Sequence, residues 1–487
     1  MAKAVEPMTS GSISKRMIFF ALPLLLGNLF QQLYNTVDSL IVGNFLGSSA
    51  LAAVSSSGSL IFMLIGFLSG ISSGAGVVVS RYFGAEDKNG VHRAVHTTVA
   101  FGLVAGLLMT AAGVLLSPQI LIWMGTPESV MPESITYLQI YFSGSLGFVM
   151  YNIFVGILQA IGDSRHPLYY LMISSVINLV LDILFIEVFH TGVGGAALAT
   201  VISQVFSAIL CLIQLLRTHS SYQLKITRIR FDSKMLGQII RIGLPSGVQN
   251  SIIAFANVVV QSYINAFGEM AMAGYGAYSK IEGFAFLPIN SFTMAMTTFV
   301  GQNLGAGQAE RTKRGARFGI WATVILAELI GIVVFLLAPQ LIAAFDPTPD
   351  VIRFGVEKAR TAALFYCLLA YSHSVASILR GAGKAVVPMI IMMAFWCVIR
   401  VAFLAVSIPL THAIQMVYVV YPLTGGLSSI VFFFCAQTSK LDESDPCERK
   451  GRLKNEYFNS ERKSKASRQY PCCAPDDERA FGRQKHR

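Results

Sequence analysis

Twelve apolar runs long enough to cross about 30 Å of hydrocarbon recur along this chain, roughly at 16–43, 49–80, 93–116, 134–160, 167–189, 194–217, 238–265, 271–301, 314–338, 357–380, 386–410 and 413–436. A backbone inside lipid has to satisfy its own hydrogen bonds, and for runs of this length the helix is the form that does so. The chain is 54% hydrophobic and only 13% charged, against about 25% charged in a soluble domain, so no soluble domain of any size remains. The expected fold class is an all-α polytopic membrane protein with twelve transmembrane helices. Its 42 glycines suit close helix packing in lipid.

A net charge of +11 could suggest a nucleic-acid partner. However, the basic residues lie in short segments between apolar runs, without the interleaved aromatics that stack bases, and no nucleic acid is expected. Orientation explains them better. Arg81, Lys88, Arg93, Arg165, Arg217, Lys225, Arg228, Arg230, Lys234, Arg241, Arg311, Lys313, Arg314, Arg317, Arg380 and Lys384 fall on one side if the amino terminus is inside. The opposite connections, including a loop expected at Asn44 to Ser49, are nearly bare, and only Arg353 and Lys358 interrupt the pattern. The positive-inside rule then puts both termini in the cytoplasm of a multi-pass plasma-membrane protein. Lys15 and Arg16 precede an apolar run as in a signal peptide, but the first A-x-A after that run, Ala50-Leu51-Ala52, lies too far downstream, so the first helix is expected to be retained. Seven cysteines, four in spans and three in the tail, give no disulfide framework or metal spacing.

The chain repeats itself at an offset of about 221 residues. Ala21-Leu22-Pro23 recurs as Gly243-Leu244-Pro245, Asn28 and Asn35 as Asn250 and Asn257, Arg93 as Arg314, and Leu158 to Pro167 as Leu379 to Pro388. Six helices is an even number, so the two halves enter the membrane from the same side as parallel repeats. The expected organisation is an amino-terminal six-helix lobe over 1–217, a linker over 218–237, a carboxy-terminal lobe over 238–437 and a disordered polar tail over 438–487.

Inside the first run stands a carboxylate. Asn28, Gln31, Asn35 and Asp38 lie 3, 4 and 3 residues apart, a polar stripe on one helix face. An acid at mid-membrane costs at least about 2.5–3.5 kcal/mol, so it faces a bundle interior or a wet cavity. The fifth run carries Asn178 and Asp182, the sixth Thr200 and Gln204. Two carboxylates, an amide carbonyl and a hydroxyl offer four oxygens to a hard monovalent cation such as Na⁺. The same groups could instead hold a proton, because two adjacent carboxyls out of water cannot both stay ionised cheaply. In the second half Val260 stands where the repeat requires Asp38, while Asn250, Asn257 and Gln261 survive. That half has its own charges in Lys280, Glu282, Glu328 and Arg400, with Glu282 expected to face a cavity unless it pairs with Lys280 or Arg400. Gly70 to Gly74 matches G-x-S-x-G but lies within a span, and with Gly66 it reads as a close-packing glycine face. Gly381 to Lys384 lacks the first glycine and the Ser or Thr of a phosphate loop, and no H-E-x-x-H occurs. Nucleotide and metal hydrolysis are unsupported.

These stretches resemble the multidrug and toxic compound extrusion (MATE) family. The resemblance covers about Ser14 to Gln437 and rests on ALPLLLGNLFQQLYNTVDSLIVG, AIGDSRHP, GVGGAALATVISQ, GLPSGVQN and FVGQNLGAG. It implies the MATE fold, two pseudo-twofold-related six-helix bundles, and a cation site formed by Asp38, Asn178, Asp182 and Thr200. It also implies secondary active efflux of amphipathic organic cations in exchange for Na⁺ or H⁺, by a monomer that is not an enzyme and needs no cofactor. Gln31, Tyr34, Asn35, Gln204, Asn257, Gln261 and Glu282 are the residues expected to meet substrate. The alternatives are a lipid-linked oligosaccharide flippase of the same superfamily, or an intramembrane enzyme using Asp38 and Asp182 as a dyad. Two departures stand out: the seventh and tenth helices have no acid clearly inside the membrane where some members place a second cation, and the long tail after Gln437 lacks the compact ending expected, with Gly425-Gly426 expected to loosen the last helix.

Overall fold

A computed structural model describes residues 7–438, which form one compact unit. The expected tail, from Ser439 onward, lies outside the described residues. The helices are α1 (Ile13–Gly84), α2 (Lys88–Trp123), α3 (Met131–Ser143), α4 (Ser145–Ala160), α5 (Arg165–Ile183), α6 (Val193–Arg217), α7 (Ser233–Asn265), α8 (Glu269–Gly305), α9 (Ala309–Ala343), α10 (Pro349–Ala363), α11 (Tyr366–Gly381), α12 (Val386–Met393), α13 (Arg400–Thr411) and α14 (Gln415–Thr438). A π-helical turn follows α5 at Leu184–Val188, and another joins α12 to α13 at Ala394–Ile399. The described residues contain no strand.

Ten helical segments are long and apolar enough to cross a membrane, and twelve if α3 with α4 and α10 with α11 each make one span, bent by 49° and 54°. The twelve-span reading therefore holds, with two spans broken. Glu328 of α9 accepts the Cys367 N–H at 3.1 Å, meeting one of the donors left unpaired at the start of α11. The loop expected at Asn44 to Ser49 does not form, because α1 is helical throughout Ile13–Gly84 and contains two span-length windows, Ile13–Asp38 and Met63–Gly84. Beyond Pro23 this helix has no proline to break it, and its Ala and Leu residues favour helix. Two boundaries also differ from expectation. The linker ends early, with Asp232 capping α7 through the N–H groups of Lys234 and Met235, and α14 runs unbroken through Gly425-Gly426.

The glycine face of α1 is where the two halves of the chain meet. A Cβ on Gly70 would overlap the backbone of Gly247, and one on Gly74 the backbone of Gly243, so α1 and α7 touch main chain to main chain. Asn250 donates to the Gly66 carbonyl at 3.1 Å, continuing that seam. The end of the bundle nearest the 218–232 connection is closed further by Gln302 of α8, which accepts from the Met8 N–H at 2.8 Å and donates to the Ala160 carbonyl at 2.8 Å.

Candidate functional site

Asp38 on α1 and Asp182 in the last turn of α5 bring their carboxyls into hydrogen-bond contact. One oxygen of each is buried with no partner. Asn178, one turn before Asp182, donates to Asp182 Oδ2 at 2.8 Å and accepts from the Thr200 N–H at 3.3 Å when its amide is oriented to satisfy both. The Thr200 hydroxyl donates to the Ala196 carbonyl at 3.1 Å, which leaves its lone pairs for the Tyr34 hydroxyl in contact with it. Ser174 donates to the Ser203 carbonyl at 2.7 Å and ties α5 to α6 below the site. Tyr137 and Tyr141, with ring centroids 6.2 Å apart, complete the wall.

All four expected cation ligands thus converge, and Tyr34 joins them. Two adjacent carboxyls with unpaired oxygens, a polarised threonine hydroxyl and an amide make a small, oxygen-rich, negatively polarised site. The chemistry of such a donor set suits a monovalent cation or a proton shared between the two acids. The π turn that begins two residues after Asp182, at Leu184, inserts an extra residue into the helix, a device frequent at functional sites. Gln204, one turn beyond Thr200, is buried with its carbonyl oxygen unpaired.

The other expected substrate residues separate. Gln31 is half-buried and Asn35 exposed on the face leading to Asp38. Lower on that stripe Asn28 donates to Ser291 at 3.1 Å and so joins α1 to α8. Asn257 is exposed, and Gln261 donates to Asn265 of its own helix at 2.9 Å.

Glu282 belongs to a second cluster that the sequence reading resolved only in part. It accepts from the Tyr278 hydroxyl at 3.0 Å, and Tyr278 also bonds Tyr366 at 3.0 Å. Lys280 is exposed. The charge facing Glu282 is Lys358 of α10, which is 0% exposed and has no hydrogen-bond partner. Its ammonium stands 3.4 Å from the centroid of the Tyr421 ring and 5.5–5.9 Å from those of Tyr278, Tyr418 and Tyr275. Arg400 shares the Tyr421 ring at 4.5 Å and donates to Thr424 at 3.3 Å. One acid thus stands among two basic side chains, Lys358 and Arg400. Its sequence signal was the break that Lys358 makes in the charge asymmetry, which marks an intramembrane cation and not a loop residue.

The two clusters occupy related places. Tyr137 and Lys358 are 221 residues apart, as are Thr200 and Tyr421, so the repeat puts an acidic site in one half and a basic one in the other. Among the described residues no group of three or more His, Cys, Asp or Glu could hold a metal.

A family model, MatE, matches the chain twice, over residues 23–184 and 245–406. Among curated proteins the chain is 30% identical to the probable multidrug resistance protein YpnP of Bacillus subtilis (strain 168), over 82% of this chain and 89% of that protein. It is 29% identical to the probable multidrug resistance protein YoeA of the same organism, over 89% and 96%. Among solved structures it resembles a multidrug resistance MATE transporter of the MOP superfamily described as outward-facing. There the TM-score is 0.85 and the identity 22%, covering 91% of this chain and all of the other. It resembles equally, with a TM-score of 0.85 and 23% identity over 91% of this chain, a MOP superfamily transporter from Pyrococcus furiosus whose binding pocket is described as reversed in polarity.

Proposed function

This chain belongs to the MatE family of membrane transporters, which are not enzymes, and we propose that it is a secondary active multidrug exporter driven by Na⁺ or H⁺ bound between Asp38 and Asp182. The observation that carries this reading is the contact of those two acids, with their unpaired oxygens, beside Asn178 and Thr200. The multidrug relatives support the substrate range, and amphipathic organic cations suit the acidic half of the transport path. The two basic side chains beside Glu282, Lys358 and Arg400, disfavour a second bound cation, so coupling rests on the amino half alone. One charge crossing 100 mV releases about 2.3 kcal/mol, enough for roughly a 50-fold drug gradient at about 1.4 kcal/mol per tenfold.

The charge asymmetry of the connections favours cytoplasmic termini in the cell membrane, and a single chain suffices for the pathway. On that topology the glycine seam and Gln302 close the cytoplasmic end, and the Asp38 face communicates with the outside. Cation loading in this state favours drug release, and the coupled step is the exchange of this seam for one at the opposite end. Coupling requires that the bound cation change the relative stability of the two states. The test is dye efflux from proteoliposomes holding the purified chain, under an imposed Na⁺ or H⁺ gradient. Gradient-driven efflux of a cationic dye supports the reading, and its absence under both gradients contradicts it. An anionic dye preferred over the cationic one contradicts the substrate class.

A further inference from the structure

The connection between α6 and α7 folds back onto the first three turns of α2 and borders a half-open cavity of about 680 Å³. Asn89, His92, Arg93 and His96 line one wall, spaced 3, 1 and 3 residues apart on one helix face. Arg228 and Arg230 of the connection line the other. The connection's backbone is pinned to α2, because the Lys225 N–H donates to His96 Nε2 at 3.0 Å and the Asp232 N–H to Thr97 Oγ1 at 3.2 Å.

That pinning leaves the cationic side chains to the cavity. Asp232 neutralises only Arg93, at 3.5 Å. Arg228 and Arg230 make no side-chain hydrogen bond or ion pair among the described residues. His92, stacked on His96 at 3.9 Å, has a buried Nε2 without a partner. His96 is different: its Nε2 accepts from Lys225, so its Nδ1 is the donor to the His92 carbonyl at 2.7 Å. Three arginines against one carboxylate, with an unpaired imidazole nitrogen between them, form a cavity of net positive charge. Guanidinium forks match phosphate oxygens two at a time.

We propose that this cavity binds a phosphate-bearing anion, held by Arg228 and Arg230 from the connection and by His92 and Arg93 from α2. It sits at the start of two membrane-crossing helices, α2 and α7, which is the depth of a lipid headgroup, and it is also wide enough for a free phosphate ester. The bound anion clamps the connection between the halves to the amino half.

The test uses the full-length purified chain and thermal unfolding. One arm titrates inorganic pyrophosphate in detergent, and the other compares nanodiscs of phosphatidylglycerol with nanodiscs of phosphatidylcholine. The melting temperature rises with pyrophosphate, with phosphatidylglycerol, or with both, which identifies the source as soluble, lipid or shared. Apparent affinity falls about tenfold or more in R228Q/R230Q and in H92Q/R93Q, and R228K/R230K retains most of it. R314Q/R317Q removes equal charge from the start of α9 and leaves it unchanged. If one double variant does not fold, the other, from the opposite wall, carries the test. The proposal is overturned by the absence of a shift in both arms, or by equal shifts in the wild type and the folded Arg228/Arg230 or His92/Arg93 variants.

Discussion

Lys358 Nζ stands 3.4 Å from the centroid of the Tyr421 ring, and these two residues are the repeat equivalents of Tyr137 and Thr200, which wall the Asp38–Asp182 pair. The same architectural position thus supports an acidic site in one half of the molecule and an aromatic cage around a lysine in the other. This accounts for a transporter whose halves share a fold and differ in charge. Desolvating an ammonium costs several kcal/mol, while a cation–π contact out of water returns about 2 kcal/mol or more. With four rings the two effects roughly cancel.

Lys358→Met therefore changes the melting temperature little. Tyr421→Ala costs about 3–5 kcal/mol, because it opens a cavity and removes the nearest ring. The double variant Lys358→Met/Tyr421→Ala loses at least about 1 kcal/mol less than the sum of the singles. Additive losses would show that the cage does not hold the ammonium.

The bend between α10 and α11 depends on Glu328. Glu328→Ala leaves the Cys367 N–H without its carboxyl acceptor and destabilises the protein by about 1–3 kcal/mol. Glu328→Gln, which keeps an acceptor oxygen, recovers part of this. Thermal unfolding in detergent checks both, and equal melting temperatures for Ala and Gln would rule the contact out as the cause.

Gly70→Val puts a side chain into the backbone of Gly247. Separating the seam costs about 1–3 kcal/mol, which shifts the population toward an open linker end by about 5- to 150-fold. Ser80 is fully buried and a Cβ on Gly301 would overlap its hydroxyl, so a Ser80→Cys reporter becomes labelled faster by a maleimide when Gly70 is Val. Unchanged labelling would show that the seam is not the closure.

Much of this was legible in the sequence, for identifiable reasons. Hydrophobic run length located the spans, because lipid thickness fixes it. The spacing of Asn178 and Asp182 located one wall of the site, because a helix places residues four apart on one face. The continuation of α1 through Asn44 to Ser49 was not legible, since a polar interruption in a membrane run reads as a loop unless its helix propensity is weighed. Lys358 was misplaced for a related reason. Counting basic residues by loop assigns each to the nearest aqueous side, and only the packing of α8, α10 and α14 shows that Tyr278, Tyr418 and Tyr421 surround it. Asn250 and Asn28 look like Asn35 in the sequence, but they serve contacts between the halves.

The most direct test of the central claim is cation-driven dye efflux by Asp38→Asn and Asp182→Asn in proteoliposomes, compared with wild type under the same Na⁺ or H⁺ gradient and after monodisperse purification. Each substitution is expected to abolish gradient-driven efflux while the protein stays folded. Wild-type coupled efflux in both variants would contradict it.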